Sequence, residues 1–154
     1  MAEPYEIIGT SVTGGLVAEL ERIFPDIARY RETFPVQKQR FPHFFVHQLS
    51  QNLQEERRNH WIVEYMINIR YHVAEDPSTV VGSLQERLDA IGLQMLSELT
   101  HITWGDMPVK VRSPRTEKVD GVLHWFGEIR VMATKPQLEK IKQETMVVNV
   151  QSIG

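Results

Sequence analysis

Between positions 61 and 72 the chain reads WIVEYMINIRYH, and its odd positions are Trp, Val, Tyr, Ile, Ile and Tyr. The even positions from Glu64 onward are Glu, Met, Asn, Arg and His. That period-2 alternation belongs to a strand with one buried face. Residues 44–49, FFVHQL, are its natural antiparallel neighbour. The charged stretch QNLQEERRN, residues 51–59, joins the two. This join is too long for a tight two-residue turn, so the expectation is a loop or a hairpin projecting from the body.

The remaining segments build around that pair. Residues 10–24 place Val12, Leu16, Val17, Leu20, Ile23 and Phe24 on one helical stripe. Gly14 and Gly15 each weaken that helix by roughly 1 kcal/mol relative to Ala, and Pro25 ends it. A short extended segment follows at 27–31. Beyond the long strand, Asp76 reads as an N-cap with Pro77 at the first helical position. Val80, Val81, Leu84, Leu88, Ile91, Met95 and Leu96 continue at helical spacing. The implied helix is about 33 Å long and should cover one sheet face.

The C-terminal part returns to strands. Residues 109–118 lead into Asp120-Gly121, a strong hairpin signal. The returning strand puts Leu123, Trp125, Ile129, Val131 and Ala133 on one face, with His124, Glu128 and Arg130 on the other. Residues 137–142 suit a helical turn, and 145–150 a last strand or extended arm. The pattern is α-β-β-α-β-β with a possible final strand. It specifies an α+β fold, a mostly antiparallel sheet with two main helices on one face.

Charge and composition narrow the function. With 154 residues, 42% hydrophobic and 24% charged, one domain with its own core is expected. The formal net charge of -3 lacks the basic excess that drives binding to phosphate backbones. The absence of cysteine excludes disulfides, thiol catalysis and Cys-based zinc sites. MAEPYEIIGT has no basic segment before an apolar core, so it is not a secretory signal. No apolar run approaches the ~20 residues of a membrane helix, so the reading is a soluble protein with no membrane partner.

Histidines and carboxylates do not assemble into known catalytic patterns. His43 and His47 lie about 13 Å apart along a strand, and His43, His60, His72, His101 and His124 show no HExxH or paired spacing. Neither a GxSxG elbow, a P-loop nor GxGxxG occurs. Glu55-Glu56 is followed by Arg57-Arg58, which would pair with it rather than leave a raised-pKa acid. The expectation is no catalytic, cofactor or metal site. The charged join supports two readings, a solvated loop tip or a subunit contact in which Arg57 or Arg58 reaches a neighbour's carboxylate. Arg112, Arg115 and Lys118 form a second basic cluster near the Asp120-Gly121 turn. Trp61 and Trp125 belong to apolar strand faces. Trp104, beside Gly105-Asp106, is expected to be partly exposed and is a candidate contact residue.

Two stretches carry a resemblance to a known family. FPHFFVHQLSQNLQEERRNHWIVEYMINIRYH at 41–72 and VDGVLHWFGEIRVMA at 119–133, with the helix between them, resemble the tail terminator (tail completion) proteins of phages and prophages. The likeness is to the branch from phages and phage-like elements of Gram-positive bacteria and covers about residues 10–150. Residues 1–9 would then be an extension and 151–154 a tail. The chain departs from the family pattern in a longer N-terminus and in the Glu55-Glu56 pair.

The resemblance implies a structural, non-catalytic virion protein, assembled in the host cytoplasm and placed at the head-proximal end of the tail. Such proteins form a ring, commonly a hexamer, that caps the tail tube, ends its growth and presents a surface to the head-tail connector or neck protein. In contractile tails they also touch the sheath. A domain of this size is a globule about 40 Å across, and a ring of six leaves an opening of about that width. DNA could pass through without specific binding. A head-to-tail ring needs complementary patches, which open sheet edges supply by strand addition or charge pairing. The candidate contact residues are Glu55, Glu56, Arg57 and Arg58, then Arg112 and Arg115, with Trp104. The alternatives are another head-tail joining, neck or tube-related component, or a small ligand-binding or enzymatic α+β domain.

Overall fold

The computed structural model describes residues 11–31, 38–80, 82–104, 107–134 and residue 139. The expected N-terminal extension, final strand and C-terminal tail lie outside the described residues, as does nearly all of the expected turn at 137–142. Helix α1 spans Ser11–Ile23, strand β1 Ala28–Arg31, β2 His43–Arg57 and β3 His60–His72. Helix α2 spans Leu84–Glu98, followed by β4 His101–Trp104, β5 Met107–Val119 and β6 Val122–Thr134. The six strands form one curled sheet in the order β1-β2-β3-β6-β5-β4. All pairings are antiparallel except β1 with β2. The fold is α+β, as the alternation and stripes require.

The long alternating strand sits at the centre of this sheet, paired to β2 on one side and β6 on the other. Val63, Tyr65, Ile67, Ile69 and Tyr71 are buried on the helix-covered face, as are Leu123, Trp125, Ile129 and Val131 of β6. Trp61 is half-buried at the edge of this core. Helix α1 adds Val12, Leu16, Leu20 and Phe24, and α2 adds Leu88 and Met95, to one continuous apolar cluster. Fully burying side chains of this size stabilises the fold by about 1.5–3 kcal/mol each. The Asp120-Gly121 turn joins β5 to β6 with positive φ at both residues, 52° and 77°, as a tight hairpin requires.

Helix α1 touches β1 and β2 at one end of the strand order and β4 at the other. A sheet whose two ends meet the same helix must curl around it. Gly15 permits the approach: a Cβ there would stand 3.0 Å from the Thr103 carbonyl oxygen. The glycine that weakens the helix in isolation is thus what lets it dock. At the other end Phe24 packs on Phe44, ring centroids 5.0 Å apart.

The second helix differs from its sequence reading. Asp76 caps only a single 3-10 turn, Pro77–Thr79, accepting a bond from the Ser78 amide. Gly82 then takes φ 91°, which interrupts any helix, and Ser83 is the true N-cap, accepting from the Glu86 amide at 3.2 Å. The remaining 15 residues make a helix of about 22 Å rather than about 33 Å. Ser83-Leu-Gln-Glu86 is a capping-box sequence, so the correct start was written in the chain. The short strand β4 falls where the sequence pattern assigned no element. Its Ile102 and Trp104 are buried.

Candidate functional site

Of the two forms expected for the join at 51–59, the structure shows the hairpin and not the loop. β2 continues to Arg57, and Arg58-Asn59 forms a two-residue turn with Asn59 at φ 65°. This corrects the expectation that the connection was too long for a tight turn. Residues 49–59 are all exposed because this part of β2 extends beyond the helices, so both of its faces meet water. A strand in that situation needs no alternation, and its polar run therefore looked like a loop. β-Bulges at Gln48/Ser50 and Glu55/Arg57 mark the segment's two ends.

Its outer edge carries open backbone groups. β1 covers β2 only from His43 to Val46, and no described strand covers residues 49–57 on that side. Leu49 and Leu53 are exposed there, 46% and 47%, and Met132 on nearby β6 is 53% exposed. Glu55, Glu56, Arg57 and Arg58 make no ion pair with one another or with any described residue. The expected mutual neutralisation does not occur. The bulge between Glu55 and Arg57 breaks the alternation that would otherwise put those two side chains on one face. Glu56 lies close enough to Arg130 to help raise that guanidinium's pKa, although the main cause is the Glu64–Arg130 pair at 2.7 Å.

The second basic cluster lies on β5, whose outer edge is the mirror case. β4 covers only Met107 to Lys110, leaving residues 112–119 open among the described residues. A bulge between Arg112 and Arg115, with Ser113 at φ 50°, divides the cluster. Arg115 pairs with Glu117 at 2.6 Å and lies over the Phe126 ring at 4.2 Å. Lys118 turns to Asp89 on α2 at 2.6 Å. Arg112 has no acidic partner among the described residues and lines a cleft of about 590 Å³ with Lys110, Val111, Ser113, Pro114 and Arg130.

Trp104 does not have the expected exposure. It is 8% exposed and meets Tyr65 edge-on, with centroids 6.3 Å apart, because β4 folds it under the sheet. Within one chain the hairpin tip and strand β5 are not neighbours, although Glu56 is close enough to act on Arg130, which lines the cleft from β6. Two strands, β3 and β6, separate the tip from β5.

Sequence reading also missed the helix-free face. His43, His47, His60, His72 and His124, five of the six histidines, stand on it. His43 and His72 stack at 4.9 Å. Arg70 lies over Phe45 at 4.7 Å, with its Nε buried and without a hydrogen-bond partner. Burial, then the neighbouring His43, Arg70 and His124, push His72 down to about 4. The pairing register brings His43, Arg70, His72 and His124 together across three strands. No group of three or more His, Cys, Asp or Glu that could hold a metal occurs among the described residues. No described helix is long and apolar enough to cross a membrane.

Among the described residues the sheet thus offers two open edges, one ending in exposed Glu55, Glu56, Arg57 and Arg58 and the other beside a cationic cleft. The model of a family described as phage tail terminator protein matches residues 11–141. The chain belongs to that family. Tail terminators are structural, non-enzymatic components of the phage tail, and membership implies termination of the tail tube. No curated protein matches the chain.

Proposed function

We propose that this tail terminator forms a closed head-to-tail ring, a hexamer, on the head-proximal end of the tail tube. The ring ends tube polymerisation and presents the surface that receives the head-tail connector. In a contractile tail it also meets the last sheath ring, and DNA passes through its lumen without specific binding. Glu55, Glu56, Arg57, Arg58, Arg112 and Arg115 belong to contacts between subunits. Trp104, buried in the chain itself, acts through the core that supports β4. The family match over residues 11–141 carries this reading. The two unlike open edges support it, because a ring requires two different complementary patches on each copy.

Particles assembled without the protein test the reading directly. Overlong or headless tails support termination and joining. Tails of normal length already attached to heads overturn it. The purified protein should also halt at single or paired rings; long cylinders would instead identify a tube subunit.

A further inference from the structure

We infer that the ring closes by sheet addition. The open edge of β2, residues 49–57, lies antiparallel against the open edge of β5, residues 112–119, of the next copy, and Glu56 enters that copy's Lys110–Arg112–Arg130 cleft. This inference rests on the ring reading and specifies how its contacts are made.

Strand direction supports the join. β2, β3, β6 and β5 are successively antiparallel, so β2 and β5 run in opposite directions within one chain. Copies related by rotation about an axis roughly along the strands keep those directions. The edge of β2 therefore meets the edge of β5 in an antiparallel sense, allowing a regular ladder. β1 and β4 block opposite ends of the two edges, so neighbours join with a step along the strand direction. A repeated step tilts the strands relative to the ring axis, which closure of a sheet requires.

Side-chain placement agrees with it. If all helices stay on one side of the joined sheet, Ser50, Asn52 and Gln54 align with residues of the same face on β5, namely Arg115, Glu117 and Val119. Pro114 lacks an amide proton, and the bulge beside it disrupts the edge, so the backbone ladder stops near Arg115. Beyond that point only side chains can continue the contact. Glu56, the bulge residue whose charge is felt by Arg130 on the helix-free face, arrives where Lys110 and Arg112 form no ion pair among the described residues, even though Glu128 lies across from Arg112. The exposed Glu56 carboxylate at the tip and the cationic cleft belong to the same sequence, which points to a second copy of this chain as the occupant.

The chain contains no cysteine, so introduced pairs report without background. Two double variants, Asn52→Cys with Glu117→Cys and Ser50→Cys with Glu117→Cys, cover the face-matched registers. Mild oxidation of assembled protein should give a ladder of covalent multimers from at least one of them. A control pair, Asn52→Cys with Thr103→Cys, should give none. Wild-type mass is measured alongside. Rings without either disulfide overturn the edge pairing and leave the ring intact, whereas monomers alone at micromolar concentration overturn both. For the cleft, Glu56→Arg and Arg112→Glu should each weaken assembly by about tenfold, and the double reversal should restore it. Failure of that rescue removes Glu56 from the cleft.

Discussion

The two halves of β2 have opposite environments despite lying on one continuous strand. At its start Phe44 and Val46 are completely buried beneath α1. From Leu49 to the turn every residue is exposed, yet the pairing with β3 persists. The first half is held by packing. The second is held by its ladder to β3, which is itself braced by β6 on its far side. Strand length therefore need not follow hydrophobic cover: a polar segment remains extended when its neighbour is fixed. An interacting surface can occupy that segment because no core depends on it.

The largest test of this contrast compares one residue from each half. Phe44→Ala should lower unfolding stability by about 3–5 kcal/mol, because a fully buried ring leaves a cavity. Leu53→Ala should change it by no more than about 0.5 kcal/mol. Denaturant titration of both variants at a concentration favouring monomers measures the difference. Equal losses would show that the outer half belongs to the core after all.

Next in size is Gly127→Ala. The Trp125 ring folds back over Gly127 so closely that a Cβ there would lie 2.3 Å from it. Trp125 is completely buried and cannot swing away, so the expected loss is about 1–3 kcal/mol. A thermal melt that matches the unaltered protein would show that the packed half has slack.

Acid should act on the same end of the sheet. Folding lowers the His72 pKa to about 4 from 6.5, chiefly through burial, with His43, Arg70 and His124 adding repulsion. His43 and His124 are lowered as well, and Glu117 opposes the shift at His124. The unfolded chain thus binds protons that the folded chain refuses, so stability is full above about 6.5 and declines as pH falls toward 4. His72→Gln should flatten that decline in denaturation midpoints compared at neutral and acid pH. An unchanged slope would remove His72 as its cause. The smallest effect belongs to the tip: Arg57→Ala with Arg58→Ala should leave unfolding within about 0.5 kcal/mol. Their effect should appear in sedimentation of the assembled ring.

Much of the packed half was legible in the chain. β3 and β6 each have one core face, so their alternation declares them, and Asp120-Gly121 marks the turn between β5 and β6. The α1 stripe and its stop at Pro25 were equally plain. The outer half of β2 was not, because a strand solvated on both faces has no periodicity to read. Helix α2 was extended too far because the apolar spacing of Val80 continued across Gly82, although Ser83 and Glu86 carried the competing start signal.

The interface candidates divide in the same way. Residue type picked out the charges at 55–58 and at Arg112 and Arg115, but only pairing register showed that they flank different open edges. It also showed that Lys110 and Arg130 complete the cleft. Trp104 was expected to be partly exposed because it stands beside a Gly-Asp pair, and only the pairing of a four-residue strand with β5 buries it.

The sequence by itself determined which strands have a buried face, because alternation is a local consequence of a pleated backbone with one dry side. Tertiary structure decided which edges stay open and where unpaired charges gather. Those properties depend on which strands become neighbours, and strand neighbours can be distant in sequence.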